Sequence, residues 1–177
     1  AFQPGITTLL GAHRGWLAGR RIGLVGHPAS MDGHGASSAE LLRGTTAARL
    51  VSLFGPEHGF FGAATAGEAV RTQRHPAWNI PVYSLYGQHR KPTPSMLRRL
   101  DTVVFDLQDL GVRPYTYVST LLYVLQAAAA HGKEVIVADR PIPLPRVVDG
   151  PLLDRRFESF VAAVPVPVVY GMTPGET

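Results

Sequence analysis

The sequence predicts an α/β fold: a Rossmann-like, doubly wound, mainly parallel sheet with helices on both faces. Three observations lead there. Of five strand-like runs, most are continuously apolar instead of alternating, as parallel strands covered on both faces are. Helix-like segments separate them, and alternating strands and helices build right-handed βαβ units. The 177 residues, 45% hydrophobic and 17% charged, suit one globular core.

Residues 5–19 read as a first helix, with Ile6, Leu9, Leu10 and Leu17 recurring before Gly19. "RIGLVG" (residues 21–26) is the first strand, and residues 37–42 form a short helix before "ARLVSLF" (48–54). "VYSLY" (82–86) follows, then a short helix over 94–100 and the strand "TVVFDL" (102–107). Residues 115–132 form the longest helix; it is apolar nearly all round, which predicts burial, and it stops at Gly132. "EVIVAD" (134–139) is the last strand. Residues 61–81 carry no period and exceed a normal connection, which marks a candidate functional loop. Beyond Asp139 the chain is proline-rich, with a short helix expected within 152–161.

At "MTPGET", Thr173, Pro174 and Glu176 occupy the N-cap, N1 and N3 positions of a helix start, so more chain is expected after Thr177. The expected organisation is a catalytic domain over residues 1–163, with 164–177 opening a second domain or linker. A second domain that completes a cleft would leave an apolar patch at residues 164–172.

The formal charge is +4 and the pI about 9.8, but fifteen arginines and two lysines are scattered without a basic–aromatic stripe. That argues against nucleic acid. The absence of cysteine excludes disulfides, thiolate metal sites and thiol nucleophiles. No apolar run approaches the about 18 residues of a membrane span.

In open parallel sheets ligands bind beyond the carboxyl ends of the strands. Those ends carry His27, then Glu57 and His58, then Tyr86, then Asp106, Gln108 and Asp109, then Asp139 and Arg140. Packing requires none of them, so together they point to a site. Zinc-type histidine spacing, G-x-G-x-x-G, phosphate loops and G-x-S-x-G are all missing, so neither a metal nor a cofactor is expected. What remains is carboxylate chemistry. Glu57 with an aspartate from the fourth strand end could form the pair that glycoside hydrolysis uses, on a shelf desolvated by Phe54, Phe60 and Phe61.

The segments "LFGPEHGFFG", "PVYSLYG" with "KPT", "VFDLQDLGVRPYTYVST", "DRP", "DGPLLD" and "GMTPGE" occur in an order and at separations that resemble the exo-β-N-acetylmuramidases of bacterial peptidoglycan recycling, the NamZ type. The resemblance runs from about Gly5 to Thr177. It implies a Rossmann-like catalytic domain, a smaller C-terminal domain that completes the cleft, and a peptidoglycan-derived saccharide as partner. It implies release of N-acetylmuramic acid from non-reducing ends, in a periplasmic or secreted setting. By resemblance, Glu57 is the leading catalytic residue, with His58 beside it and Asp109 as its partner. Asp106, Gln108, Arg113, Tyr115 and Tyr117 come to the same cleft. Arg113 and Arg140 are the candidates for gripping the lactyl carboxylate of a muramic sugar, with Asp139 next to Arg140, and Tyr86, Tyr115 and Tyr117 for contacting sugar rings. The chain departs from the family pattern at "GHPAS" and at "RPIPLPR". A saccharide-binding domain without turnover and a metal-dependent hydrolase are the alternatives.

Overall fold

In the computed structural model, which describes residues 3–177, the apolar runs form one six-stranded sheet. Its strands are β1 (Arg20–Val25), β2 (Ala48–Gly55), β3 (Gln73–Arg74), β4 (Pro81–Ser84), β5 (Thr102–Phe105) and β6 (Glu134–Val137). The spatial order is β3-β4-β2-β1-β5-β6, parallel throughout except for the β3–β4 edge pair. From β1 the chain winds outward through β2 to β4, then returns to the other side of β1 for β5 and β6. The order therefore reverses between β1 and β5, and the crevice beyond their carboxyl ends is where such folds bind ligands.

Helices cover both faces. α1 (Gly5–Leu10), a 3-10 helix at Arg14–Leu17 and α2 (Ser38–Gly44) pack Ile6, Leu17 and Leu42 against Ile22, Leu24 and Leu53. On the opposite face α3 (Pro94–Leu97) and α4 (Tyr117–Ala130) pack Leu97, Leu121 and Val124 against Val25, Phe54 and Phe105. Each such side chain contributes about 1.5–3 kcal/mol of burial.

The parallel register slips once. Leu50 lies opposite Ile22 but Ser52 opposite Gly23, which leaves Val51 as an extra residue in β2. Leu50 and Leu53 thereby share one face although three residues apart, and Phe54 turns to the other. Gly23 is needed opposite: a Cβ there would lie 2.8 Å from the Phe54 ring and 2.7 Å from Leu100.

Several expectations change. The first helix breaks at Gly11, whose φ/ψ of −93°/−97° leaves the helical region, and only a 3-10 turn follows. Within 152–161 only Arg155–Phe157 is helical, as one 3-10 turn, because Asp154 draws the Arg156 N–H into a tight local loop. β3 is two residues long, too short to show a period in the 61–81 loop. The longest helix leaves Leu125 42% exposed, so one stripe of it faces outward.

Residues 164–172 do not form an open patch. Val166 and Tyr170 are buried against Val118 of α4. The exposed apolar residues lie earlier, at Leu144, Val148, Leu152 and Phe157. The final helix start does form its cap: the Glu176 carboxylate accepts the Thr173 N–H at 2.8 Å, and the Thr173 hydroxyl accepts the Glu176 N–H at 3.3 Å.

Candidate active site

Glu57 is delivered by a fold-back at the end of β2. A Cβ on Gly55 would stand 2.3 Å from the Phe60 nitrogen, and Gly59 sits at φ +79°, so only glycines let the chain reverse this tightly. His58 accepts the left-handed region too, at φ +67°. The turn leaves Glu57 half-buried, and both carboxylate oxygens are engaged. Oε1 accepts the Gly67 N–H at 3.0 Å and Oε2 accepts the Thr116 hydroxyl at 2.9 Å. His58 Nδ1–H donates to the Ala64 carbonyl at 3.1 Å, which leaves the Nε2 lone pair free in the neutral ring.

The end of β5 supplies two buried aspartates with different surroundings. Asp106 has no exposed surface; it accepts from Arg140 Nε at 2.5 Å and Nη2 at 3.3 Å, and from the Ser38 hydroxyl. Arg140 also donates to the Met31 carbonyl, which ties the β1–α2 loop to β5 and β6. Asp109, equally buried, accepts the Gly111 N–H at 2.7 Å and the Tyr170 hydroxyl at 2.9 Å on Oδ1. Its Oδ2 has no partner among the described residues. Burial pushes the Asp109 carboxyl upward, against the pull of those two donors. Burial likewise raises Tyr115 and Tyr117, and the charges of Glu57 and Asp109 add to it. The two tyrosine rings are 4.7 Å apart, so both carboxylates face one aromatic pair at the start of α4.

His27, at the end of β1, packs edge-on against Tyr117 at 5.2 Å, and its Nε2 accepts the Gln108 N–H at 3.1 Å. Burial, then the charges of Arg140 and His58, lower its pKa to about 4. The folded protein thus holds this ring neutral while the unfolded chain protonates it near 6.5. Between those values the unfolded state binds more protons, so stability is undiminished above pH 6.5 and falls as pH drops, by about 3 kcal/mol in total once pH is below 4. Melting profiles of wild type and His27→Gln from pH 7 to 4 should diverge, the variant falling less. Parallel profiles would show that His27 is not the group responsible.

The remaining expected residues divide. Gln108 braces its own loop by donating to the Asp109 and Pro141 carbonyls at 3.0 and 2.7 Å. Arg140 and Asp106 pair below the surface, and Arg140 also lines a cavity of about 390 Å³ with Asp139 and Thr173. Arg113 is drawn to the C-terminal segment, donating to the Pro151 and Val166 carbonyls at 3.0 and 2.7 Å. Asp139 accepts from the Thr173 hydroxyl and the Gly175 N–H, so it holds the final turn. Tyr86 packs on Phe160, and Arg90 lies over both rings.

Sequence reading passed over Thr116, Tyr170 and Arg71. Thr116 and Tyr170 look like ordinary helix-cap and core residues until folding sets them on carboxylates. Arg71 lies in the aperiodic loop; it is exposed and lines a cavity of about 340 Å³ with His58, Glu68 and Ser84. Among the described residues it forms no ion pair.

Residues 22–177 match the sequence profile of the family described as "Exo-beta-N-acetylmuramidase NamZ, N-terminal". The chain is 43% identical over 175 residues to the peptidoglycan beta-N-acetylmuramidase NamZ of Bacillus subtilis (strain 168), covering 98% of this chain and 42% of that protein. Two crystal structures of DUF1343 family proteins from Bacteroides fragilis NCTC 9343 share the fold. One has a TM-score of 0.89 at 39% identity, covering 98% of this chain and 44% of the other. The second has a TM-score of 0.82 at 29% identity, covering 99% and 45%. The chain spans less than half the length of these relatives.

Proposed function

Because the chain belongs to the family of exo-β-N-acetylmuramidase NamZ N-terminal domains, we propose that it carries the catalytic carboxylate of a glycoside hydrolase that releases N-acetylmuramic acid from the non-reducing ends of peptidoglycan fragments. The observation that carries this reading is the setting of Glu57. It is a half-buried carboxyl at the carboxyl edge of a parallel sheet, oriented by the Gly67 N–H and Thr116 hydroxyl, facing a tyrosine pair backed by Asp109. Such a group can pass a proton to the glycosidic oxygen as the C–O bond breaks.

Asp109 is a positioning residue in this scheme. Burial keeps it off the substrate, and through Tyr170 and Gly111 it fixes the loop that carries Tyr115. Residues 164–177 belong with the catalytic body, since Tyr170 completes that network. The exposed apolar residues Leu144, Val148, Leu152 and Phe157 mark where further protein would extend the cleft.

We assign selectivity for the muramic sugar to Arg71, which is exposed, lines the cavity beside His58 and forms no ion pair among the described residues, whereas Arg113 and Arg140 each already donate to protein acceptors. A lactyl carboxylate in the cavity beside His58 would meet the Arg71 guanidinium. A charge-assisted hydrogen bond is worth about 1.5–3 kcal/mol, or roughly 10- to 150-fold in kcat/KM. The full-length protein should therefore hydrolyse a chromogenic N-acetylmuramic acid glycoside faster than its N-acetylglucosamine counterpart by that factor, and Arg71→Ala should narrow the gap. Equal wild-type rates on both sugars would overturn the muramidase reading, and an unchanged gap in the variant would move the carboxylate elsewhere.

A further inference from the structure

Arginines at the amino edge of the sheet, opposite the edge that carries Glu57, fall into two groups. On β1, Arg20 pairs with Glu134, and Arg21 grips Asp101 through Nε at 3.0 Å and Nη2 at 2.6 Å. On the β2–β4 side, Arg49, Arg74 and Arg99 are exposed, and none forms an ion pair among the described residues, although Arg49 stands in register beside Arg21. All three line one cavity of about 400 Å³, and no aspartate or glutamate lines it. Strand lengths create this notch. β2 begins at Ala48, but its pairing with β4 starts only at Leu53 opposite Val82, so residues 49–52 have β1 on one side and no strand on the other. Arg74, at the end of β3, donates to the carbonyl of Asn79, which is turned at φ +52°. Ser52 is the unexpected member of the lining. It is 3% exposed, and its hydroxyl has no partner among the described residues. The register slip at Val51 sets it opposite Gly23, where an added Cβ would lie 3.1 Å from Ser52 Oγ and 2.7 Å from Leu100. The hydroxyl therefore lies on the α3 face, beside the leucine that also lines the notch. A buried hydroxyl left unpaired is destabilising, so packing alone does not explain a serine here.

We propose that this notch is a second binding site, separate from the catalytic edge, for a compact oxyanion carrying two or more charges, of phosphoryl or polycarboxylate type. Three guanidinium groups with no carboxylate among the lining residues leave positive potential uncompensated in a concave wall, where the field is concentrated. Each guanidinium presents paired N–H donors that match two oxygens of a phosphate or carboxylate. A single negative charge would leave two of the three cations unmatched, which favours a multiply charged ligand. The Ser52 hydroxyl can rotate to donate to an anion oxygen, directly or through a bridging water, and so gains the partner it lacks. The site lies at the opposite end of the strands from Glu57, so it stands or falls independently of the muramidase reading.

Isothermal titration of the full-length protein with inorganic pyrophosphate and with citrate, at an ionic strength held constant by chloride, tests this. At least one of the two should bind saturably, and the tighter binder tells whether phosphoryl or carboxylate oxygens are preferred. Arg49→Ala combined with Arg99→Ala should weaken that binding by about 10-fold, the worth of two charge-assisted hydrogen bonds discounted for exposure. Ser52→Ala should weaken it by about 3-fold without lowering the Tm of the free protein, a pairing that a purely structural serine would not produce. Arg90→Ala combined with Arg155→Ala removes two exposed guanidiniums that do not line the notch, and should leave the affinity unchanged. Three results would overturn the site: no saturable binding of either anion, undiminished binding in the Arg49 and Arg99 double variant or in Ser52→Ala, or equal weakening in the Arg90 and Arg155 control.

Discussion

Replacing Glu57 by glutamine should lower turnover of a muramic glycoside by about 10²–10⁴-fold, the usual worth of a positioned acid or base. The substitution is well matched to its surroundings. Glutamine keeps one oxygen to accept the Gly67 N–H, and its NH2 can donate to the Thr116 hydroxyl, which simply rotates to accept. The stability cost should therefore stay near 1 kcal/mol, the net worth of one hydrogen bond. Thermal melts and hydrolysis of the chromogenic glycoside, measured on the same preparation, separate lost chemistry from lost fold. Activity within a few-fold of wild type would show that another group transfers the proton.

The second large effect concerns stability. Arg140→Ala removes the cation that neutralises Asp106 and leaves a carboxylate with no exposed surface facing little besides the Ser38 hydroxyl. Breaking such a pair costs about 3–5 kcal/mol, which for a chain of this size lowers Tm by about 6–20 °C. Removing both charges, as in Asp106→Leu with Arg140→Met, should recover much of the loss, since a buried pair is often no better than apolar residues of similar volume. Urea and thermal unfolding of the two variants check both directions. A loss under about 1 kcal/mol for Arg140→Ala would mean that water reaches Asp106.

Much of this architecture is legible in the sequence, for a simple reason. A strand stretch buried on both faces is apolar, and residues 22–25 of β1, 53–55 of β2 and 103–105 of β5 are. The reversal that carries Glu57 was legible as well, because Gly55, Gly59 and Gly62 around a Gly-Pro step mark a tight turn at a strand end. What the sequence conceals is commitment. Asp106, Arg140, Arg113 and Asp139 all stand at or near strand ends as charged residues, yet each is spent on a partner 34 to 53 positions away in the chain. Nothing local distinguishes a charge that will be paired from one that will be left free. Arg71 shows the converse: an undistinguished loop arginine becomes interesting only once folding has occupied the others.

The grip on Glu57 and His58 has a consequence for how the loop beyond them can vary. Both tethers end on backbone atoms, the Gly67 N–H and the Ala64 carbonyl, and not on side chains of the loop. Residues 65 to 69 are exposed, so their identities are open to drift, apart from the glycine conformation at Gly67, which lies at φ +77°. The number of residues between the turn and those two anchors is not open in the same way. One residue added or removed there would carry the tethers out of register with the two side chains they orient. Evolution, or an engineer diversifying this rim, can rewrite its letters more freely than it can change its length.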